Sequence, residues 1–185
     1  MLLSTAGGRE LSVELTASPI KGPGEAIAGA VVIMHDVSEI RGLTKRMSYQ
    51  ATHDALTGLI NRREFERRLE EALQAVREQD VTHVLCYLDL DRFKPVNDTC
   101  GHIAGDSLLR AVAALIREKV RESDAVARLG GDEFGVLLLG CPLEKARQIA
   151  DDVCAAVRDY RFVWRDRVFQ IGVSIGLVEI GRDSA

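Results

Sequence analysis

Alternation of apolar and polar residues near the start of the chain predicts two β-strands. Residues 9–20 alternate with a period of two, as expected for a strand with one buried face. Residues 28–36 form a second and more apolar run, and the Gly- and Pro-containing stretch 20–25 predicts a loop between the strands. Two strands are too few to form an independently stable domain.

Helical spacing begins after these strands. Residues 37–50 are polar except at positions such as Ile40, Leu43 and Met47, and this spacing of three to four predicts a short linker helix. The same apolar stripe fits either a helix packed on its neighbour or the seam of a dimer.

From about residue 53, helical patterns and strand patterns follow one another. Helices are predicted at 61–78, 105–120 and 143–157, and strands at 81–90, 125–127, 134–139 and 168–178. Gly130 and Gly131 separate two of these strands and predict the tip of a hairpin. This order predicts an α/β (α+β) sandwich in which helices flank a mostly antiparallel central sheet.

Composition narrows the class of protein. The chain has 185 residues, of which 46% are hydrophobic and 28% charged, as in an ordinary globular domain. A net charge of -4 argues against a general nucleic-acid binder, which is normally basic. A small phosphate-rich ligand stays possible, because its binding depends on a local site and on metal ions.

The cysteines and the apolar runs indicate a compartment. Cys86, Cys100, Cys141 and Cys154 are scattered without a CxxC pair, which is typical of reduced thiols in a cytosolic protein. No apolar run is long enough to cross a bilayer, and the N-terminus does not resemble a signal peptide. The sequence therefore predicts a cytoplasmic chain without membrane contact.

Acidic side chains follow two of the predicted strands. Asp89 and Asp91 end one strand, and Asp132 and Glu133 follow the glycine tip of the hairpin. Strand ends that meet at one edge of the sheet would bring these carboxylates together, and hard divalent cations bind such oxygen ligands. A site of this kind stabilises the attacking and leaving oxygens of phosphoryl or nucleotidyl transfer. Solvated acidic turns are the alternative, above all for Asp91.

The segment that follows Asp91 carries side chains suited to a nucleotide. Asn97 and Asp106 could read a base edge, since a carboxylate accepts from guanine N1–H and N2–H, which adenine cannot offer. Lys94 could meet phosphate charge. The alternatives are that Asn97 forms a turn and that Asp106 caps a helix.

One set of motifs runs in a single order and spacing from about residue 53 to the end of the sequence. Its members are Asp54 to Arg63, Asp89-x-Asp91, Phe93-Lys94, Asn97-Asp98, Gly101-His102, Gly105-Asp106 and Gly130 to Phe134. Together they resemble the GGDEF family of diguanylate cyclases. The resemblance implies the palm-like fold of nucleotidyl cyclases, with GTP as substrate and cyclic di-GMP as product. It also implies a homodimer, because each of two domains presents one GTP to the other.

The resemblance implies a role for each matching residue. Asp89 and Asp132 would bind Mg²⁺ or Mn²⁺ together with the backbone carbonyl of Leu90, and Glu133 would support that site. Asp132 would also be the base for the 3′-hydroxyl, and Lys94 would stabilise phosphate charge. The remaining substrate contacts would come from Phe93, Asn97, His102, Asp106, Gly130 and Gly131.

A further motif lies just upstream of the hairpin. Arg121-Glu122-Ser123-Asp124 occupies the place where the family carries its product-inhibition site. Arg121 would stack on guanine or pair with it, and Asp124 and Arg128 would complete the site. An ion pair at a helix end is the alternative for Arg121 and Asp124.

These resemblances divide the chain into three parts. Residues 1–36 look like the last strands of a PAS sensory domain, 37–52 form a signalling helix, and 53–185 form the cyclase domain. In the family, that domain continues through another helix whose Lys and Arg contact the GTP phosphates. We expect the catalytic domain of a sensory protein. The alternative is a module that binds GTP or cyclic di-GMP without turnover and regulates a phosphodiesterase domain.

Overall fold

The computed structural model describes residues 2–4, 8, 10–21, 27–79, 81–182 and 184. They form two compact units, Met1–Ala51 and Thr52–Ala185. The strands are β1 (Leu2–Ser4), β2 (Glu10–Lys21), β3 (Ile27–Asp36), β4 (Ile60–Asn61), β5 (His83–Asp91), β6 (Ala125–Gly130), β7 (Glu133–Leu138), β8 (Arg161–Trp164), β9 (Arg167–Gln170) and β10 (Gly172–Ile180). The helices are α1 (Ser38–Thr52), α2 (Arg62–Glu78), α3 (Phe93–Cys100), α4 (His102–Lys119) and α5 (Leu143–Asp159).

The first unit contains the antiparallel sheet β1-β2-β3 followed by α1. The Ser38 hydroxyl accepts a hydrogen bond from the Ser12 amide at 2.8 Å, and the Asp36 carboxylate accepts one from the Ser38 amide at 2.9 Å, which ties the start of α1 to the sheet. The two predicted strands and the linker helix are therefore confirmed. The sequence did not predict β1, and most of the predicted loop at 20–25 lies outside the described residues. The PAS-like origin of this unit stays a prediction.

The second unit contains a five-stranded sheet in the order β10-β5-β7-β6-β4. Its pairs are antiparallel except β4–β6, which confirms the mostly antiparallel sheet. One apolar cluster lies between α2 and one face, and a larger one joins α4 and α5 to the other face. None of the helices in the described part of the chain is long and apolar enough to span a membrane.

Buried and exposed residues alternate along β5, so one face of the strand joins the core and the other carries acidic side chains. Val84, Cys86, Leu88 and Leu90 are buried, whereas the residues between them face the opposite side of the strand. The last of those outward positions are acidic, so the core-forming strand carries its chemistry at its C-terminal end.

Other boundaries differ from the sequence predictions. The segment after Asp91 contains α3, which was not predicted, and its Pro95 is accommodated because a first helical turn needs no amide donor there. The strand predicted at 168–178 is wrong as one element, because its first residues pair with β8 in a separate ribbon and its last ones join the central sheet. Helix α4 begins at His102, earlier than predicted, after Gly101 with a φ of 81°.

Candidate functional site

The hairpin tip and the end of β5 lie side by side. Asp89 is paired with Glu133 across β5 and β7, and the Leu90 amide donates to the carbonyl of Asp132 at 3.3 Å. Gly131 turns the chain with a φ of 52°, a conformation that side chains disfavour. We call Asp89, Asp91, Asp132 and Glu133 the carboxylate edge. The structure brings this set together, as the strand order predicted.

Like charges accumulate along the carboxylate edge. Burial raises the pKa of Asp89, and the charges of Asp132, Glu133 and Asp91 raise it further. Among the described residues, no group of three or more His, Cys, Asp or Glu is arranged to hold a metal ion. Two carboxylates and a backbone carbonyl remain a suitable partial ligand set, since Mg²⁺ takes one or two carboxylates and completes its shell with water and phosphate.

Asp91 is held by the neighbouring strand. The Ser174 hydroxyl on β10 donates to its carboxylate at 2.8 Å. Gly172 makes room for it, because a Cβ at that position would lie 2.6 Å from the carboxylate oxygen. The alternative of a purely solvated turn therefore does not describe Asp91.

Tyr87 adds a group that the sequence analysis missed. A hydrogen bond with Glu133 raises the pKa of Tyr87, and its side chain is 43% exposed. The period of two along β5 places Tyr87 on the same face as Asp89, so the pattern contained the information.

Helices α3 and α4 pack closely around a buried polar side chain. The Asn97 Oδ1 atom is buried and accepts no hydrogen bond from any residue that the structure describes. A Cβ at Gly105 would lie 2.0 Å from that atom and 3.1 Å from the ring of Phe93. We call Phe93, Asn97 and Gly105 the Asn97 cluster. A buried unpaired acceptor points to a missing partner, because such atoms are rarely left unsatisfied.

The other predicted substrate residues lie on the same helices. Lys94 is exposed in the first turn of α3, and His102 is exposed at the first position of α4. Asp106 lies one turn further along α4 and is half-buried. Because Gly101 occupies the cap position, Asp106 does not cap the helix. Asn97 likewise lies within a helix and does not form a turn.

Asp124 is a structural residue as well as a candidate ligand. It is buried, and its carboxylate accepts hydrogen bonds from the Arg121 amide at 3.0 Å and the Leu139 amide at 3.1 Å. These bonds join the turn before β6 to the end of β7. Arg121 is exposed, and the contacts described between the two residues involve its backbone: its amide donates to the Asp124 carboxylate, and its carbonyl accepts from the Asp124 amide at 3.1 Å.

The side chain of Arg128 contacts Gly131 and Asp54. Its guanidinium donates to the carbonyl of Gly131 at 2.8 and 3.1 Å and contacts the Asp54 carboxylate at 3.3 Å. The described contacts of Arg128 therefore connect it to the hairpin tip, and its predicted part in product inhibition stays a prediction.

The carboxylate edge is partly exposed. Asp89 and Asp91 are exposed, whereas Asp132 and Glu133 are half-buried. Two clefts of about 430 and 530 Å³, one beside Arg67, His83 and Ser123 and the other beside Thr82 and Glu179, are not lined by a residue of this edge.

Residues 51–184 match the family described as "Diguanylate cyclase, GGDEF domain". The chain is 44% identical over 180 residues to the probable diguanylate cyclase DgcE of Escherichia coli (strain K12), covering 97% of this chain and 16% of that protein. It is 34% identical over 170 residues to the cyclic di-GMP phosphodiesterase PdeB of Shewanella oneidensis, covering 92% of this chain and 19% of that protein. The chain thus spans less than a fifth of the length of either relative.

A solved structure resembles the fold. It contains the coiled coil and GGDEF domain of DgcB from Caulobacter crescentus in complex with c-di-GMP. The similarity has a TM-score of 0.74 at 30% identity and covers 79% of this chain and 78% of that chain.

Proposed function

Because this chain belongs to the GGDEF family of diguanylate cyclases, we propose that its second unit condenses two GTP molecules into cyclic di-GMP in a bacterial signalling protein. The observation that carries the proposal is the register of β5 and β7, which places Asp89 opposite Glu133 and bonds Leu90 to Asp132. This juxtaposition supplies oxygen ligands and a proton acceptor at one edge of a rigid sheet.

A divalent cation, Mg²⁺ or Mn²⁺, fits the carboxylate edge. Asp89, Asp132 and the carbonyl of Leu90 would hold it, with Glu133 in support. Burial raises the pKa of Asp89 and the neighbouring carboxylates raise it further; that repulsion supports this assignment, because a cation would neutralise it. When bound, the cation would supply electrostatic stabilisation of charge on the transferring phosphate.

The protein side chains then have distinct tasks. Asp132 accepts the proton of the attacking 3′-hydroxyl, whose oxygen bonds to the α-phosphorus of the second GTP as pyrophosphate leaves. Lys94 stabilises charge on the phosphates from its exposed position on α3. Gly130 and Gly131 let the backbone approach the triphosphate.

Recognition of guanine falls to α3 and α4. Asn97 offers its buried, unpaired Oδ1 atom to a base donor, and Asp106 accepts from the N1–H and N2–H groups that distinguish guanine. Phe93 packs in the Asn97 cluster, and His102, at the start of α4, would lie near the nucleotide.

Turnover needs a second copy of the chain. Asp89 and Asp91 are exposed at the carboxylate edge, and one domain would present only one GTP, so a homodimer would join two half-sites. On α1, Ile40, Leu43 and Met47 are exposed by 65%, 52% and 69%, and this stripe suits a dimer seam.

The direct test is to incubate the purified chain with GTP and Mg²⁺ and to separate the nucleotides by chromatography. We expect cyclic di-GMP and pyrophosphate to accumulate, with a rate per chain that rises with protein concentration if a dimer is required. The same protein without divalent cation is the control. GTP binding without product, at concentrations where the chain is dimeric, would overturn the proposal.

A second candidate is a regulatory module that binds GTP or cyclic di-GMP without turnover. This candidate is favoured by the similarity to PdeB, a protein named for phosphodiesterase activity. That similarity covers 92% of this chain. If calorimetry detects binding of either nucleotide and no product forms, that result would support the regulatory module.

Asp89→Asn tests the cation site without relying on turnover. Because the charged form of Asp89 is disfavoured in the fold, the stability of the metal-free chain should fall as pH rises through the raised pKa of that group. The variant should lose this pH dependence, melt at a higher temperature without metal, and gain less from added Mg²⁺. Thermal unfolding across pH 3.5–7, with about 10 mM Mg²⁺ or with a chelator, checks this result. An unchanged Mg²⁺ effect would remove Asp89 from the proposed ligands.

Arg121→Ala tests product inhibition. We expect the inhibition constant for cyclic di-GMP to rise by about tenfold or more, because the loss of one charge-assisted contact costs about 1.5–3 kcal/mol. Initial rates at increasing product concentration measure this change, and Arg117→Ala on α4 is the matched control. Asp124 is unsuited to the test because its carboxylate also holds the fold. Identical inhibition curves would assign Arg121 to a structural role.

A further inference from the structure

The side chain of Arg128 connects strand β6 to the hairpin tip and to the segment that contains Asp54. Its Nε and Nη2 atoms donate to the carbonyl of Gly131 at 3.1 and 2.8 Å, at the tip of the hairpin. Its Nη1 atom donates to both carboxylate oxygens of Asp54 at 3.3 and 3.4 Å. We call Arg128, Asp54 and Gly131 the Arg128 clamp. It spans segments that are far apart in sequence and holds them through one planar cation.

Asp54 is itself firmly placed. Its Oδ1 atom accepts from the amide of Thr57 at 2.9 Å and from the Thr57 hydroxyl at 2.7 Å. Burial alone would raise the pKa of Asp54, but these hydrogen bonds and the charge of Arg128 outweigh it and lower the pKa. Asp54 therefore stays ionised at neutral pH and anchors the guanidinium from one side.

The Arg128 clamp holds the residue that directly precedes Asp132 of the carboxylate edge. That residue, Gly131, turns the chain with a φ of 52°, between the ends of the paired strands β6 and β7. The side chain of Arg128 is 16% exposed and that of Asp54 23% exposed, so the pair is shielded from water more than a surface ion pair. A shift of the Gly131 carbonyl would rotate the Gly131–Asp132 peptide and so move Asp132, whose own carbonyl accepts a hydrogen bond from the Leu90 amide.

We propose that Arg128 is a positioning residue for the hairpin tip, with Asp54 as its anchor, so that the segment just after α1 and the carboxylate edge move as one body. The proposal rests on the proposed cyclase function for its kinetic consequences. Arginine is needed because its fork of five donors serves a carbonyl and a carboxylate at once, whereas lysine has a single charged nitrogen. Asp54 follows the last residue of α1 by two positions, so displacement at that helix end would reach the tip through this contact.

The test uses Asp54→Asn, Arg128→Gln, Arg128→Lys and the double variant Asp54→Asn/Arg128→Gln. Asparagine keeps an oxygen for the Thr57 donors and removes only the charge, so the turn at 54–57 should survive. We expect each single variant to lower kcat by about tenfold or more with KM for GTP nearly unchanged, because the defect lies in orientation. The double variant should be no slower than Arg128→Gln, and Arg128→Lys should not restore kcat.

The matched control is the surface ion pair of Arg158 and Asp159, whose side chains are 65% and 76% exposed. Its Nε and Oδ1 atoms are 3.7 Å apart. Arg158→Gln and Asp159→Asn should leave kcat unchanged. If both clamp variants reduce kcat additively, or if Arg128→Lys restores it, the positioning role is wrong.

Hydrogen–deuterium exchange decides the same point without catalysis. In Asp54→Asn, amides of residues 129–134 and of Leu90 should exchange several-fold faster, while amides in α5 stay unchanged. Unchanged exchange at 129–134 would overturn the clamp. If the unsubstituted chain makes no cyclic di-GMP, the cyclase proposal fails, yet the exchange result still confirms or overturns the clamp.

Discussion

Asp132→Asn is expected to lower cyclic di-GMP formation by about 10³-fold or more while the fold stays intact. The substitution removes a proposed cation ligand and the proposed base for the 3′-hydroxyl, and general base catalysis alone contributes about 10²–10⁴-fold. The backbone carbonyl of Asp132, which bonds the Leu90 amide, is unaffected. Product formation by chromatography and thermal unfolding of the same samples would check both parts of the prediction.

The charge balance at the carboxylate edge sharpens this test. Asp132 is one of the charges that raise the pKa of Asp89, so its neutralisation should not destabilise the metal-free chain. Asp151→Asn, on the exposed surface of α5, is the matched control and should keep full activity. Asp132→Asn with activity within about threefold of the unsubstituted chain would remove Asp132 from the proposed machinery.

Local pattern was sufficient to predict the carboxylate edge. Two glycines between apolar runs specify a hairpin, and the period of two along β5 places Asp89 at its exposed end. An antiparallel pairing of β5 with β7 then brings these carboxylates to one edge, and the register places Asp89 opposite Glu133 while the Leu90 amide bonds the Asp132 carbonyl. The short-range chemistry of turns and strands decided this part of the site.

Contacts between distant segments could not be read in the same way. The resemblance assigned Arg128 to the product-inhibition site with Arg121, but its described partners are Asp54 and Gly131. The hydrogen bond between Asp124 and the Leu139 amide likewise depends on where β6 begins and β7 ends. The contacts with Asp54 and Leu139 are not visible in a local pattern, because the partners are 74 and 15 residues apart in the chain.

Helix α3 shows a second limit. Its eight residues include Pro95 and few apolar positions, so periodicity gave no helical prediction. The helix nevertheless orients Asn97 toward Gly105, which is how an amide that suggested a turn becomes a buried, unpaired acceptor. Tertiary packing against α4 supplies the stability that the local sequence lacks.

Gly105→Ala is expected to weaken GTP binding by about 10- to 100-fold. A Cβ at this position would lie 2.0 Å from Oδ1 and 2.9 Å from Cγ of Asn97, so the amide must leave its present place. The loss of a base contact costs about 1–3 kcal/mol, which corresponds to this range. Alanine favours helices by about 1 kcal/mol over glycine, but overpacking of about 1–3 kcal/mol should offset that gain.

A second substitution separates shape from recognition. In Gly105→Ala/Asn97→Ala, the shortened side chain makes room for the new Cβ, so thermal stability should recover to that of the unsubstituted chain or above. GTP affinity should not recover, because the acceptor is gone. Gly42→Ala in α1 is the matched control, since a Cβ there meets nothing within 4 Å, and it should leave binding unchanged. Equilibrium titration with GTP and thermal unfolding give both quantities. If the double variant bound GTP as tightly as the unsubstituted chain, Asn97 would not be the residue that reads guanine.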